Sequence, residues 1–155
     1  MQIHLIAIGK RMPEWVNTAY ADFSRRMPAE CRLKLTEIPA AKRTRSADIN
    51  RVLRQEGERM LAAIPKGAEV VALDVDGRPW STGELASQLQ DWMQQGSDIA
   101  LLVGGPEGLA PACRARASRR WSLSRLTFPH PLVRVILAEQ LYRATTILRN
   151  HPYHK

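Results

Sequence analysis

The last five residues of the chain, "HPYHK", hold three side chains whose types can do chemistry. His151 and His154 carry imidazoles, which can accept or donate a proton. Tyr153 carries a ring that can stack on a planar ligand. Chain termini are usually disordered, so a segment of this composition becomes ordered only when something contacts it. The pattern therefore predicts a functional tail.

Three charged side chains precede the tail, on a segment whose apolar spacing from 132 to 148 predicts a helix. Glu139 can accept a proton, and Arg134 and Arg143 can stabilise negative charge. Glu139 and Arg143 are four residues apart, so an intrahelical ion pair is an equally good interpretation. The apolar share predicts a helix that is buried or shared with a second copy of the chain. His130, between two prolines, is interpreted as a structural turn residue.

Three glycines interrupt an apolar run in "LLVGGPEGLAPA", residues 101–112. In open α/β sheets, ligands bind beyond the carboxyl ends of the strands. Gly104, Gly105 and Gly108 would let backbone approach such a ligand, because they have no Cβ. A tight turn between strand and helix is the commoner explanation of a glycine pair alone. The spacing is neither GxGxxG nor GxxxxGK[ST], so neither a dinucleotide site nor a P-loop is indicated.

A second loop with binding potential is "SLSRLTFP", residues 122–129. Its Leu123, Leu126 and Phe128 are rimmed by serine and threonine side chains. Such a loop can enclose an aromatic ring while its backbone groups contact the edge of the ring. A buried crossover between two elements is the alternative.

Alternating strands and helices must position these residues. The sequence predicts buried strands at 2–9, 69–74 and 99–103, and at 32–39 an alternating strand with one covered face. Helices are predicted after Pro13, with an apolar stripe of Trp15, Ala19, Phe23 and Met27, after Ser46 as N-cap, after Ser81 or Thr82, and from Pro111. Strands that are apolar throughout indicate a parallel sheet covered on both faces. The predicted fold class is α/β, a parallel sheet flanked by helices, in a single domain of residues 1–155.

The charge of the chain favours a partner rich in phosphate. Its 23 Lys and Arg outnumber 15 Asp and Glu, which gives a formal charge of +8. A soluble protein with a basic surface is an equally good interpretation of that charge. Lys42, Arg43 and Arg45 form a basic loop that either grips phosphate or is simply solvated. Cys31 and Cys113 are isolated, which indicates neither zinc nor a disulfide framework and fits the cytoplasm. We expect no metal and no membrane span, because no run of ~18 apolar residues occurs.

Taken together, the segments "GGPEG", "SLSRLTFPHPLVRVILAEQLYRA" and "NHPYHK", with "IPAAKR" further upstream, carry a family resemblance. The chain resembles the small SPOUT-class methyltransferases, which use S-adenosylmethionine to methylate N3 of a pseudouridine in large-subunit (23S) ribosomal RNA. The resemblance implies a SPOUT-type sheet with a C-terminal trefoil knot, a homodimer and the assembled ribosome as substrate. A related SPOUT enzyme acting on transfer RNA and an inactive RNA-binding or ribosome-binding protein are the alternatives.

The resemblance also assigns residues to the cofactor. It places S-adenosylmethionine against Leu73, Gly104, Gly105, Leu123, Ser124, Arg125, Leu126, Thr127 and Phe128. On this interpretation, the glycines keep side chains out of the way of the cofactor.

The acceptor N3 carries a proton, so the reaction needs a base or stabilisation of the resulting anion. The candidate catalytic residues are His154, Arg134, Tyr153 and Glu139. The base stays open among His154, His151 and Glu139, whereas Arg134 would hold the anion and Tyr153 would stack on the base. The candidate RNA-binding residues are Lys42, Arg43, Arg45, Arg143 and His151.

Overall fold

A parallel sheet of five strands forms the centre of the protein in the computed structural model, which describes residues 1–46 and 48–155. The strands are β1 (Gln2–Ile8), β2 (Arg32–Ile38), β3 (Glu69–Pro79), β4 (Ile99–Val103) and β5 (Arg119–Ser122). Their order across the sheet is β2-β1-β4-β3-β5, and every pair is parallel. The predicted parallel sheet is therefore confirmed, and the knotted path that the resemblance implies stays a prediction.

Five helices cover the two faces of the sheet. They are α1 (Glu14–Arg26), α2 (Ile49–Ala63), α3 (Thr82–Gln95), α4 (Pro111–Arg116) and α5 (His130–Leu148). Helix α5 packs between α1 and α3 on one face, and α2 packs against α4 on the other. A single turn of 3-10 helix, Pro152–His154, follows α5. No helix among residues 1–46 and 48–155 has the length and apolar character to cross a membrane.

The central strands β1 and β4 are almost wholly apolar because each contributes to two hydrophobic cores. In β1, Leu5 belongs to the core under α1, α3 and α5, whereas Ile6 belongs to the core under α2 and α4. Successive side chains of a strand point to opposite faces, so a strand covered on both sides has no polar face.

Two helices differ in detail from the sequence prediction. Helix α2 begins after Asp48, whose carboxylate accepts the N–H of Asn50 at 3.0 Å, and not after Ser46. In α1, Trp15 is 57% exposed, so its place in the predicted apolar stripe was wrong, and Val16 and Tyr20 are buried instead. Phe23 and Met27 of that stripe do pack in the core. The predicted cap of α3 at Ser81 is confirmed, because its hydroxyl accepts the N–H of Glu84 at 3.0 Å.

The end of β3 departs most from the prediction of a turn after Asp74. The strand continues to Pro79 through a bulge, because Leu73 and Arg78 both pair with Trp121 of β5. A Cβ on Gly77 would lie 2.7 Å from the backbone of Arg120, so only glycine permits this close approach. The bulge pushes residues 74–77 out of the ladder, and β5 itself was not predicted.

Candidate active site

A cavity of about 370 Å³ opens at the carboxyl ends of β3, β4 and β5. Its walls come from the bulge after Leu73, the glycine loop 103–109, the loop 121–129 and the first turn of α5. Eight of the nine residues that the resemblance assigns to the cofactor line this cavity, and the ninth, Arg125, is exposed outside it. The structure thus gathers three distant segments around one space at the edge of the sheet where α/β proteins bind ligands.

The glycine loop is a tight turn as well as a cavity wall. The N–H of Gly108 donates to the carbonyl of Gly105 at 2.9 Å, with Pro106 in the turn and a φ of +79° at Gly108. A Cβ on Gly104 would lie 2.4 Å from the carbonyl carbon of Gly108. The interpretation that Gly104 is glycine to clear the cofactor is therefore corrected, because the backbone of its own loop already excludes a side chain.

The loop 121–129 is held in shape by its serines. The hydroxyl of Ser122 donates to the carbonyl of Ser124 at 3.2 Å, and the hydroxyl of Ser124 accepts the N–H of Leu126 at 3.0 Å. Leu126 is left 70% exposed at the rim of the cavity, and Val75 from the bulge is 74% exposed on the same rim. Two large apolar side chains therefore flank the entrance.

The charge of the lining is unusual for this basic chain. None of the described residues that line the cavity is Lys or Arg, and the ionisable ones are Asp74 and His130. Burial, followed by the nearby charges of Arg134 and Arg43, lowers the pKa of His130. The indole nitrogen of Trp121, which also lines the cavity, is buried with no hydrogen-bond partner in the described part of the chain. Such a lining suits an aromatic or cationic ligand and not a phosphate.

Arg134, a candidate catalytic residue, is only 1% exposed. Its guanidinium donates to the carboxylate of Glu37 at 2.7 Å and to the carbonyl of Gly9 at 2.6 Å. These bonds tie α5 to the carboxyl ends of β1 and β2. This placement favours a structural role, and the role of Arg134 in stabilising an anion stays a prediction.

Arg43, a candidate for RNA binding, forms ion pairs within the protein, with its side chain 29% exposed. It pairs at 3.1 Å with Glu56, a carboxylate that is 2% exposed and also accepts the N–H of Ala41. Its Nε lies 3.8 Å from Glu107 in the glycine loop. Arg43 therefore joins the basic loop to the glycine loop, whereas Lys42 is exposed to solvent, as is Arg45.

The remaining candidates form one cluster on the second half of α5. Arg143 donates to Glu139 at 2.7 Å, so the intrahelical ion pair is present. The guanidinium carbon of Arg143 lies 4.9 Å from the ring centroid of Tyr153, whose hydroxyl donates to Glu139 at 3.5 Å. Tyr153 also packs edge-on against Tyr142, at 4.8 Å between ring centroids. The tail is thus ordered against its own helix.

The two histidines of the tail differ in their surroundings. The Nδ1 of His151, an exposed residue, accepts the N–H of Tyr153 at 3.2 Å. The Nδ1 of His154 is buried and has no hydrogen-bond partner in the described chain. A buried ring nitrogen without a partner is unfavourable, so His154 is the tail residue with an unused hydrogen-bonding group.

The cavity and the tail cluster do not meet within one chain. Val133 lines the cavity and Tyr142 carries the tail, nine residues later on α5. At 1.5 Å per residue, this separation is about 13 Å along the helix axis. No cluster of three or more potential metal ligands occurs in the part of the chain that the structure describes.

Several cavity residues were not predicted, among them Asp74, Trp121 and His130. Trp121 follows two arginines, Arg119 and Arg120, in a strand of four residues, which has too little pattern to be recognised. The bracketing prolines of His130 were the available signal, since they mark the entry to α5 at the cavity.

Comparison with known proteins gives a consistent result. A family model described as "Predicted SPOUT methyltransferase" matches residues 1–154. A protein of Thioalkalivibrio sulfidiphilus named "Ribosomal RNA large subunit methyltransferase H" is 66% identical over 155 residues, which cover 100% of this chain and 99% of that protein. One of the same name from Methylococcus capsulatus is 61% identical over 100% of both chains.

Solved structures share the fold at low sequence identity. A "probable methylase family protein" of Haemophilus influenzae superposes with a TM-score of 0.61 at 11% identity, over 99% of this chain and 70% of that one. A chain of Legionella pneumophila, solved in complex with the bound cofactor SAM, gives a TM-score of 0.51 at 10% identity, over 94% and 66% of the two chains.

Proposed function

The chain belongs to the SPOUT methyltransferase family, and on that premise we propose that it transfers a methyl group from S-adenosylmethionine to N3 of a pseudouridine in large-subunit (23S) ribosomal RNA. Both curated relatives carry the name of a methyltransferase of large-subunit ribosomal RNA. We further propose that it works on the assembled ribosome, in the cytoplasm.

The observation that carries this proposal is the chemical character of the cavity. S-adenosylmethionine combines an aromatic adenine with a sulfonium cation. The cavity offers Leu123 and Phe128 for the ring, and no Lys or Arg among its described lining residues opposes the cation. The side chain of Asp74, 5% exposed, adds a carboxylate at the edge. The residues present therefore fit this cofactor.

The residues that would hold the cofactor are the eight assigned ones that line the cavity, together with Trp121. The bound cofactor supplies an electrophilic methyl group. The backbone of the glycine loop and of the loop 121–129 would fix its orientation, and orientation is the main contribution of a protein to an in-line displacement. Leu126 and Val75 at the rim would exclude water from the reacting centre.

The acceptor needs groups that bind a uracil-type base and remove its N3 proton. Burial, followed by the Glu139 carboxylate, raises the pKa of Tyr153, so the phenol stays neutral and can stack on the base and donate a hydrogen bond. His154 has the unused nitrogen of the tail and is the proposed base. Arg143 lies next to Tyr153 and is the better placed of the two arginines to stabilise the anion.

We propose that cavity and tail meet across a homodimer. The separation of about 13 Å within one chain supports a site in which one protomer provides the cofactor and the other provides the tail. Helix α5 carries Leu132, Val135 and Ile136, which are half-exposed and belong to neither core. Trp15 adds a further exposed apolar side chain on the same face. A two-fold contact would cover this surface.

The test is methylation of purified ribosomes from cells that lack the gene. The protein and S-adenosylmethionine are added, and the ribosomal RNA is digested and analysed by mass spectrometry. We expect one added methyl group on one pseudouridine of the large-subunit RNA. Ribosomes from parent cells should accept none, because their site is already filled. Methylation of transfer RNA with none on the ribosome would establish the transfer RNA alternative instead.

A further inference from the structure

The two faces of the sheet carry very different charge. On one face, residues 42–66 and α4 hold nine Lys and Arg against three Asp and Glu, a surplus of six positive charges. On the other face, α1, α3 and α5 together have one more negative charge than positive. The surplus of six is most of the formal +8 of the whole chain. Cations are therefore concentrated on one side of the molecule.

The two helices of this face form one continuous surface. Gly57 of α2 lies so close to α4 that a Cβ on it would be 2.6 Å from the Cβ of Ala110. Helix α2 has 15 residues, which corresponds to about 22 Å of length. Arg51, Arg54, Arg114 and Arg116 are exposed on the two helices. We call these four side chains the arginine surface.

The arginine surface has no internal partner. Within residues 1–46 and 48–155, none of its four guanidinium groups forms an ion pair. This contrasts with Arg43, Arg119 and Arg120, each of which contacts a carboxylate. Four unpaired like charges repel one another, and a polyanion would relieve that repulsion.

The surface leads to the cavity. The basic loop that precedes α2 contacts the glycine loop that precedes α4, through the 3.8 Å approach of Arg43 to Glu107. A polyanion that lies along the two helices therefore reaches the edge of the cavity. The opposite face carries the partly buried apolar residues of α5 and the exposed Trp15, which the proposed dimer would cover.

We propose that the arginine surface binds the phosphate backbone of ribosomal RNA next to the nucleotide that is methylated. This inference rests on the proposed function and adds the surface that docks the substrate. Guanidinium groups bind phosphate oxygens and replace condensed counterions, so they position the RNA without selecting its sequence. The basic loop alone is too small for this role, since Arg43 is committed to Glu56.

The experiment compares two double variants with equal charge change. Arg54→Gln with Arg116→Gln removes one arginine from each helix of the surface. Arg25→Gln with Arg32→Gln removes two exposed arginines elsewhere. Binding to transcribed large-subunit ribosomal RNA and to purified ribosomes is measured over a series of salt concentrations. Affinity for S-adenosylmethionine is measured by calorimetry as a control for folding.

The surface variant should lose about tenfold in affinity for both probes at low salt. The magnitude of its slope of log affinity against log salt should fall by roughly 1.5, because two phosphate contacts are lost and each contributes about 0.7–0.9. The control variant should keep the parent slope. A third variant, Arg54→Lys with Arg116→Lys, keeps the charge and should keep the slope. Both glutamine variants should bind the cofactor as the parent does.

Equal slopes for the surface and control variants, while the parent still methylates ribosomes, would overturn the proposed surface and leave the proposed function intact. A loss of ribosome binding without any change for naked RNA would mean that a protein docks there, which also overturns it. Absence of methylation by the parent protein would instead refute the proposed function.

Discussion

Replacement of Arg134 by methionine separates a structural role from a catalytic one. Methionine fills most of the space of the arginine stem but cannot donate to Glu37 or to the carbonyl of Gly9. We expect the protein to lose stability, because both acceptors lie at strand ends that Arg134 connects to α5. Arg134→Lys keeps the charge but cannot span both acceptors, so its loss should be smaller.

The magnitude follows from the two short bonds. A hydrogen bond from a charged group contributes about 1.5–3 kcal/mol. Glu37 is 32% exposed and recovers hydration when its partner is removed, so the lower value applies to it. The two bonds together give a loss of about 3 kcal/mol in the free energy of unfolding. With a urea dependence of roughly 2 kcal/mol/M, the midpoint should fall by about 1.5 M.

The assay is urea unfolding of both proteins at one fixed protomer concentration, because a dimer has a concentration-dependent stability. A cycle with Glu37→Gln should show that the two substitutions are not additive. The structural interpretation is refuted when Arg134→Met unfolds at the parent midpoint and yet methylates ribosomes at least ~10²-fold more slowly, which is the size of a lost catalytic group.

Three further outcomes are expected. Gly104→Ala should lower the affinity for S-adenosylmethionine about tenfold, because it introduces strain of about 1 kcal/mol or more in the loop. The control, Gly83→Ala, lies in α3 where there is space for a side chain, and should bind normally. Equal affinities of the two variants in calorimetry would contradict this. Burial and two nearby guanidinium groups lower the pKa of His130, so cofactor affinity should be constant from pH 7 to about 6.5 and fall only below it, as imidazolium repels sulfonium. His130→Asn should abolish that fall. If the variant shows the same dependence of cofactor affinity on pH as the parent, His130 is not the titrating group. Truncation after Asn150 should reduce methylation by orders of magnitude with little loss of stability, and His154→Ala alone should lose ~10²-fold or more if it is the base; full activity of the truncated protein would exclude the tail from catalysis.

The elements of the fold were largely predictable from the sequence, because β1, β3 and β4 contain apolar runs and β2 alternates apolar with polar residues. Strand β5 was not, since two of its four residues are arginines and its pairing depends on the bulge in β3. The register of a bulged edge pair is decided by contacts between segments that are distant in sequence, which local periodicity does not contain.

The two binding loops were candidates from their residues alone, but their joining in one cavity with Leu73 was predictable only through the resemblance. The charged residues were predictable in type but not in environment. Arg134 and Glu37 are 97 residues apart in sequence, so nothing local indicates that they pair. Arg43 lies in a run of cations that looks solvated, yet the buried Glu56 accepts from it. A charged group can be buried only when the fold places a partner next to it, and the local sequence shows the charge but not the partner.

The bulge between Leu73 and Arg78 leaves one wall of the cavity outside the strand ladder. Leu73 and Arg78 both pair with Trp121, while residues 74–77 between them lie outside the ladder. Their amides should exchange with solvent deuterium faster than those of Val71 or Ala72, which lie buried within the sheet. We therefore expect that residues 74–77 can move outward to admit a ligand while the sheet keeps all of its strand pairs.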